Sequence, residues 1–123
     1  MNKSVKVWGR DYQLQVIFDI YDDEVITDMQ QEALDAFVNA ADNLLSSCEE
    51  LKEYCIKKDG ELIGNSIDNI FKYVVPTSLY IERRVNKHVV SLLCNYKFDE
   101  EHGIAITYEN EELKHIGIQD DVL

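Results

Sequence analysis

"HVVSLLCNYKFDEEHGIAITYENEELKHIGI", residues 88–118, decides the fold. It holds three apolar segments, "HVVSLLCNYKF", "GIAITYE" and "LKHIGI", cut by the short polar links "DEEHG" (99–103) and "ENEE" (109–112). Segments this short, rich in Val, Ile, Thr and Tyr, are strands, and links this short make them antiparallel neighbours. "TSLYIER" precedes them across "RVNK" (84–87), which predicts a four-stranded meander.

Outward from the meander, the N-terminus reads as a hairpin. Val5 and Val7 flank Lys6. After Gly9-Arg10, Leu14, Val16, Phe18 and Ile20 alternate with polar residues. Period two is the strand signal, and the Gly9-Arg10 region supplies the turn. Between hairpin and meander lies "TDMQQEALDAFVNAADNLLSSCEELKEYCIKKDG", residues 27–60. Leu34, Phe37, Ala41, Leu44, Cys48, Leu51 and Cys55 step by three and four, so they form one apolar helical stripe. Asp28, Glu32, Asp35, Asp42, Glu49 and Glu53 fall opposite. Thr27 is the expected N-cap, Lys57 and Lys58 close the last turn, and Gly60 stops it. One unbroken rod over 28–58 would be about 46 Å long. A compact domain of this length has a radius of gyration of roughly 14 Å, so a break is predicted at Asn39–Asn43. A second, short helix is expected over "IDNIFKYVV", ended by Pro76. The predicted fold is a single α+β domain, 1–123, with helices packed on one face of an antiparallel sheet made of the hairpin and the meander.

Charge is distributed unevenly. The chain carries 24 acids against 12 bases, a net −12. Residues 11–50 contain eleven acids and no base, and residues 98–123 contain eight acids and one base. Phosphate recognition needs clustered Lys and Arg, so nucleic acid is excluded as the expected ligand. No apolar run is long enough to span a membrane, and the N-terminus has no apolar core of a signal peptide. Together with three unpatterned cysteines, Cys48, Cys55 and Cys94, this predicts a cytoplasmic protein whose thiols are buried.

Chemistry is sparse. Asp99, Glu100, Glu101 and His102 are adjacent, but side chains in a hairpin link splay apart, whereas a metal needs donors around one centre. His88, His102 and His115 sit in different elements. No nucleophile elbow, phosphate loop or dinucleotide fingerprint occurs. Neither catalytic residues, a metal nor a cofactor is predicted. Arg83, Arg84 and Lys87 form a small basic patch. The acidic pattern is the organised feature, and its plain reading is a solvated surface. Its functional reading is a docking surface for a basic protein, such as a nuclease whose phosphate-binding cleft an acidic row can fill. The residues expected to take part are Asp22, Asp23, Glu24, Asp28, Glu32, Asp35, Asp42, Glu49, Asp99, Glu100, Glu101, Glu109 and Glu111.

The run Asp99 to Ala105 and the later Ile116 to Asp120 resemble the Asp-x-Glu-His-Gly-Ile-Ala and Ile-Gly-x-Gln-Asp patterns of a bacterial domain family of unknown function. "VWGRDYQLQVIFD" and "IDNIFKYVVPTSLYI" are similar to it as well. Such proteins are similar to those encoded beside contact-dependent and other polymorphic toxins, where small acidic partners serve as immunity proteins. The resemblance implies a non-enzymatic immunity protein that occludes a toxin's active site. The alternatives are an interaction or regulatory module without a toxin partner, and a small enzyme with carboxylates in a cleft.

Overall fold

The computed structural model describes residues 1–40, 44 and 46–123. Six strands form one sheet in sequence order: β1 (Asn2–Val7), β2 (Arg10–Phe18), β3 (Val74–Ile81), β4 (Val89–Tyr96), β5 (Ile104–Glu109) and β6 (Glu112–Gly117). Helices α1 (Asp28–Ala40) and α2 (Ser46–Ile63) lie between β2 and β3. The class is α+β, as the pattern predicts, with one difference in layout. Hairpin and meander are fused into a single sheet, because β2 pairs with β3 in parallel, Val16 opposite Leu79 and Phe18 opposite Ile81. The two helices are the crossover that a parallel connection requires.

The turns explain the hairpins. Trp8 (φ 48°) and Gly9 (φ 87°) turn β1 into β2, and Asn110 (φ 49°) and Glu111 (φ 65°) turn β5 into β6. Positive φ at both central residues gives the twist that matches flanking strands. The turn is therefore Trp8-Gly9, one residue earlier than expected.

The apolar stripe packs as predicted where it is described. Leu34, Phe37, Leu51 and Cys55 are buried with Val16, Leu79, Leu92, Ile106 and Tyr108 in one core on the helical side of the sheet. Leu44 and Cys48 pack at its margin, and Ala41 lies outside the described residues. Helix α1 ends at Ala40 and α2 begins at Ser46, and positions 41–43 of the predicted break lie outside the described residues. The helix breaks just after Lys58, as expected, but a further helical segment follows across the kink. Asp59 leaves helical geometry (φ −132°, ψ 31°), Gly60 stays inside, and the chain runs on to Ile63 before Gly64 (φ 103°) ends it. The expected second helix shrinks to one 3₁₀ turn, Ile70–Lys72, capped by the Asn69 side chain. Pro76 does not terminate a helix but sits in β3, where the register shifts between Pro76 and Ser78. A bulge is where a strand tolerates a residue with no N–H to give. Similarly, β2 stops at Phe18, leaving Ile20 outside the strand.

The other sheet face carries Gln13, Gln15 and Ile17 of β2, Val75, Ser78 and Tyr80 of β3, Val89, Ser91, Leu93 and Asn95 of β4, and Ala105 and Thr107 of β5. None is charged. The C-terminal 3₁₀ turn, Gln119–Asp121, folds back at the β5–β6 edge, with Gln119 Nε2 donating to the Cys94 carbonyl at 3.0 Å.

Candidate functional site

The parallel β2–β3 pair places the C-terminal ends of both strands together, beside the start of α1, the β3–β4 link and the β5–β6 turn. Gln30 fixes this end. It is fully buried, its backbone N–H donates to Thr27 Oγ1 at 3.1 Å, and its Oε1 accepts from the Thr27 N–H at 3.0 Å. That reciprocal pair is a capping box. The remaining amide group donates to the carbonyls of Asp19 (3.0 Å) and Ile81 (3.3 Å), tying the helix start to the ends of β2 and β3.

Cations then staple the loops. Arg83 meets Glu24 at 3.3 Å and donates to the Val25 carbonyl at 3.0 Å. Lys87 meets Glu109 at 3.0 Å, and Arg84 meets Glu82 at 3.1 Å. The small basic patch is thus divided among neighbouring carboxylates. His88 spans the widest gap, with Nδ1 3.0 Å from Glu111 and Nε2 3.4 Å from Glu32 of α1. Partial burial pulls its pKa down, but the hydrogen bonds to Glu111 and Glu32 outweigh that, and the net shift is upward. Lys87 holds the Glu109 carboxyl below its usual range.

Acidic and apolar side chains reach solvent at this end, beside the exposed Arg83 and Arg84. Asp22, Asp23 and Asp28 are exposed. Interleaved with them are Tyr21 (77% exposed), Val25 (78%) and Ile26 (43%), with Val85 (93%) on the adjoining link. Apolar side chains rimmed by polar ones mark interaction surfaces. The sequence reading missed these four. Their signal was the apolar residues inside two otherwise polar links, Tyr21, Val25 and Ile26 in "IYDDEVIT" and Val85 in "RVNK".

The thirteen predicted residues divide between separate places. Asp22, Asp23, Glu24, Asp28, Glu32, Glu109 and Glu111 gather at this end. Asp35 lies further along α1, within 3.3 Å of the Gln31 amide, and Glu49 lies on α2, paired with Lys52 at 3.4 Å. Asp42 is outside the described residues. Asp99, Glu100 and Glu101 are at the opposite end of β4 and β5, about 20 Å away along the strand. There the expected splaying holds for Glu100 and Glu101, both exposed, but not for the other two. His102 donates its backbone N–H to Asp99 (3.2 Å) and sets Nδ1 3.0 Å from the same carboxylate. The contact raises the His102 pKa. Desolvation works against the Asp99 carboxylate, yet His102 and Lys58, 3.7 Å away, hold its pKa below the ordinary value.

Among the described residues, no three His, Cys, Asp or Glu side chains gather as metal ligands would. Cys55 and Cys94 are buried, and desolvation pushes the Cys55 thiol up to about 11 and Cys94 higher still. A concavity of about 520 Å³ lies between α2 and β6, away from the acidic end, and mixes Glu50 and Glu53 with Lys57 and Lys114. Among the described residues no helix is long and apolar enough to cross a membrane.

Fold and surface together define a small α+β domain presenting an acidic loop surface with exposed apolar side chains. The chain belongs to the family described as "Domain of unknown function (DUF6985)", whose family model matches residues 1–123. No curated protein and no solved structure matches the chain.

Proposed function

We propose that the protein is a non-enzymatic binding domain that takes a basic protein partner on the acidic end of its sheet. The observation that carries the reading is the exposed set Tyr21, Val25, Ile26 and Val85 among Asp22, Asp23 and Asp28. Aromatic and aliphatic anchors supply affinity, while surrounding carboxylates speed encounter and select positive partners. The cations at this end are held by Glu24, Glu82 and Glu109, so they offset the field locally without presenting a basic surface of their own.

The finer form of the proposal is an immunity protein, acting in the cytoplasm, that blocks the active site of a cognate bacterial toxin, best a nuclease. Its support is the sequence resemblance and the acidity of the surface. Affinity capture from the native cell, with the adjacent gene products identified, tests it. Recovery of a basic toxin domain, released by salt, is the expected result, and expression of that toxin alone should kill. A captured basic partner with no toxicity would reduce the protein to an interaction module. No basic partner would end the proposal.

A further inference from the structure

Strand β6 is an edge of the sheet, with β5 on one side only. Among the described residues, no backbone group other than those of β5 bonds to the backbone of Glu112–Gly117. An open edge of this kind is a template for another extended chain. Beside it runs the concavity of about 520 Å³, walled by α2. Two hydrogen bonds set how α2 passes β6. Ser47 lies 2.9 Å from the Tyr108 hydroxyl, and Tyr108 pairs with Leu113, so α2 starts at the Leu113 end. Tyr96, at the end of β4, donates to Asp59 at 2.6 Å, so α2 finishes towards Gly117. Helix and strand therefore run the same way, and the groove between them has two poles. Glu50 and Glu53 stand at the Leu113 end with exposed Glu112, and Lys57 stands at the other. Between the poles Tyr54, Leu113 and Ile116 form a half-buried apolar floor packed on the core. Among the described residues, none of Glu50, Glu53, Lys57 or Lys114 is in an ion pair. His115 and Asp121, by contrast, are held by each other at 3.2 Å.

We propose that β6 and α2 form a docking groove for an extended peptide segment of a partner protein, which adds to the sheet edge as a further strand. Main-chain pairing with β6 supplies affinity, and the groove reads alternate side chains. Antiparallel addition is the more stable ladder and continues the pattern of β5 and β6. It sets the first residues of the incoming segment beside Lys57 and its last beside Glu50 and Glu53. Charge complementarity then fixes the order of the side chains that face the groove: an acid, an apolar residue over the floor, and a base. Lys114 lies midway along β6 and favours neither order. The spacing agrees. Glu50 and Lys57 are about 10 Å apart along the helix axis. An acid and a base four positions apart in a strand span about 13 Å. The difference is within the reach of a lysine or arginine side chain. The groove lies apart from the acidic loops, so it stands whether or not a basic partner binds there.

The probe is a heptapeptide, acetylated and amidated at its ends, with Glu, Val and Lys at its second, fourth and sixth positions and Thr elsewhere. A second peptide exchanges the Glu and the Lys, and a third keeps the first order with its backbone N–H groups methylated. Each is titrated into the full chain to about 1 mM while backbone amide NMR signals are followed. The first peptide should shift the amides of Glu112–Gly117 and of the facing turns of α2, and leave those of Asp22–Asp28 in place. The second should bind about threefold to tenfold more weakly, and the third should not bind detectably. Glu50→Lys/Glu53→Lys/Lys57→Glu changes three exposed side chains and should invert the preference between the first two peptides. If that variant fails to melt cooperatively, Lys57→Glu alone should abolish the preference. No shift at β6 with the first peptide overturns the proposal. Equal binding of the methylated peptide, or a preference that the charge changes leave intact, overturns it as well. Shifts at β6 that grow with protein concentration without any peptide would assign the edge to a second copy, and also overturn it.

Discussion

Replacing Ser47 by Ala should destabilise the fold more than its single missing oxygen suggests. Ser47 is 2% exposed and sits at the start of α2. Its hydroxyl donates to the Leu44 carbonyl at 2.6 Å, accepts from Trp8 Nε1 at 3.2 Å, and lies 2.9 Å from the Tyr108 hydroxyl. One proton and two lone pairs are all a hydroxyl has, so Tyr108 is the donor to Ser47. Three elements, the β1–β2 turn, α2 and β5, therefore meet at one oxygen. Ser47→Ala strands the Trp8 N–H and the Tyr108 O–H, both buried. An unsatisfied buried donor costs about 1–3 kcal/mol. Some relaxation toward solvent at Trp8 leaves a net loss of about 2–4 kcal/mol. Tyr108→Phe removes a donor without stranding another, since Ser47 keeps Leu44 and Trp8, and should cost only about 1 kcal/mol. The double variant should be no less stable than Ser47→Ala, because it deletes the stranded hydroxyl. Urea denaturation measures all three, and the Ser47→Ala midpoint should fall by about 1–2 M. A loss below about 0.5 kcal/mol for Ser47→Ala, or simple additivity in the double variant, would refute the reasoning.

Other outcomes follow from the same geometry. His88 has a raised pKa, so its ion pairs with Glu111 and Glu32 contribute fully below its ordinary value of 6.5 and are lost as pH rises through the higher folded value. His102 shifts the same way, so the check is the difference between wild type and His88→Gln, which should shrink from pH 6 to pH 8, about the range a histidine spans. Gly103→Ala should be worse than Gly9→Ala, although both have positive φ. A Cβ at Gly103 would lie 2.6 Å from Gln119 Nε2 and 2.7 Å from the Cys94 carbonyl, whereas nothing lies within 4 Å at Gly9. Thermal melts should show about 1 kcal/mol lost at Gly9 and about 2–3 at Gly103. Tyr21→Ala and Val85→Ala should each change stability by no more than about 0.5 kcal/mol, given their exposure, while weakening capture of a basic partner roughly tenfold or more.

The parts of the structure that were legible in the sequence are local. Alternation placed β1 and β2, short apolar segments between polar links placed the other four strands, the capping residue Thr27 marked α1, and the helical stripe identified Leu34, Phe37, Leu51 and Cys55 as core. The parallel β2–β3 pairing was hidden because it joins Val16 to Leu79 across both helices, and no short-range pattern encodes such a contact. Pro76 misled because a proline stop signal and a proline at a strand bulge look alike until the partner strand is known. At the candidate site, acidity was visible but its organisation was not. Whether a carboxylate is free, like Asp22, or held, like Glu24 by Arg83, depends on side chains 59 positions apart meeting in space. Gln30 could have been noticed from the Thr27-x-x-Gln30 pattern, which signals a capping box.

Charge reversal at the two ends of the sheet tests the central claim most directly. The measurement is the affinity for the captured basic partner of two triple variants, Asp22→Lys/Asp23→Lys/Asp28→Lys and Asp99→Lys/Glu100→Lys/Glu101→Lys, each with unaltered folding. An interface on the acidic loop end predicts that the first loses at least about tenfold and most of the salt dependence, while the second stays within about twofold of wild type. The reverse order, or equal losses from both, would contradict it.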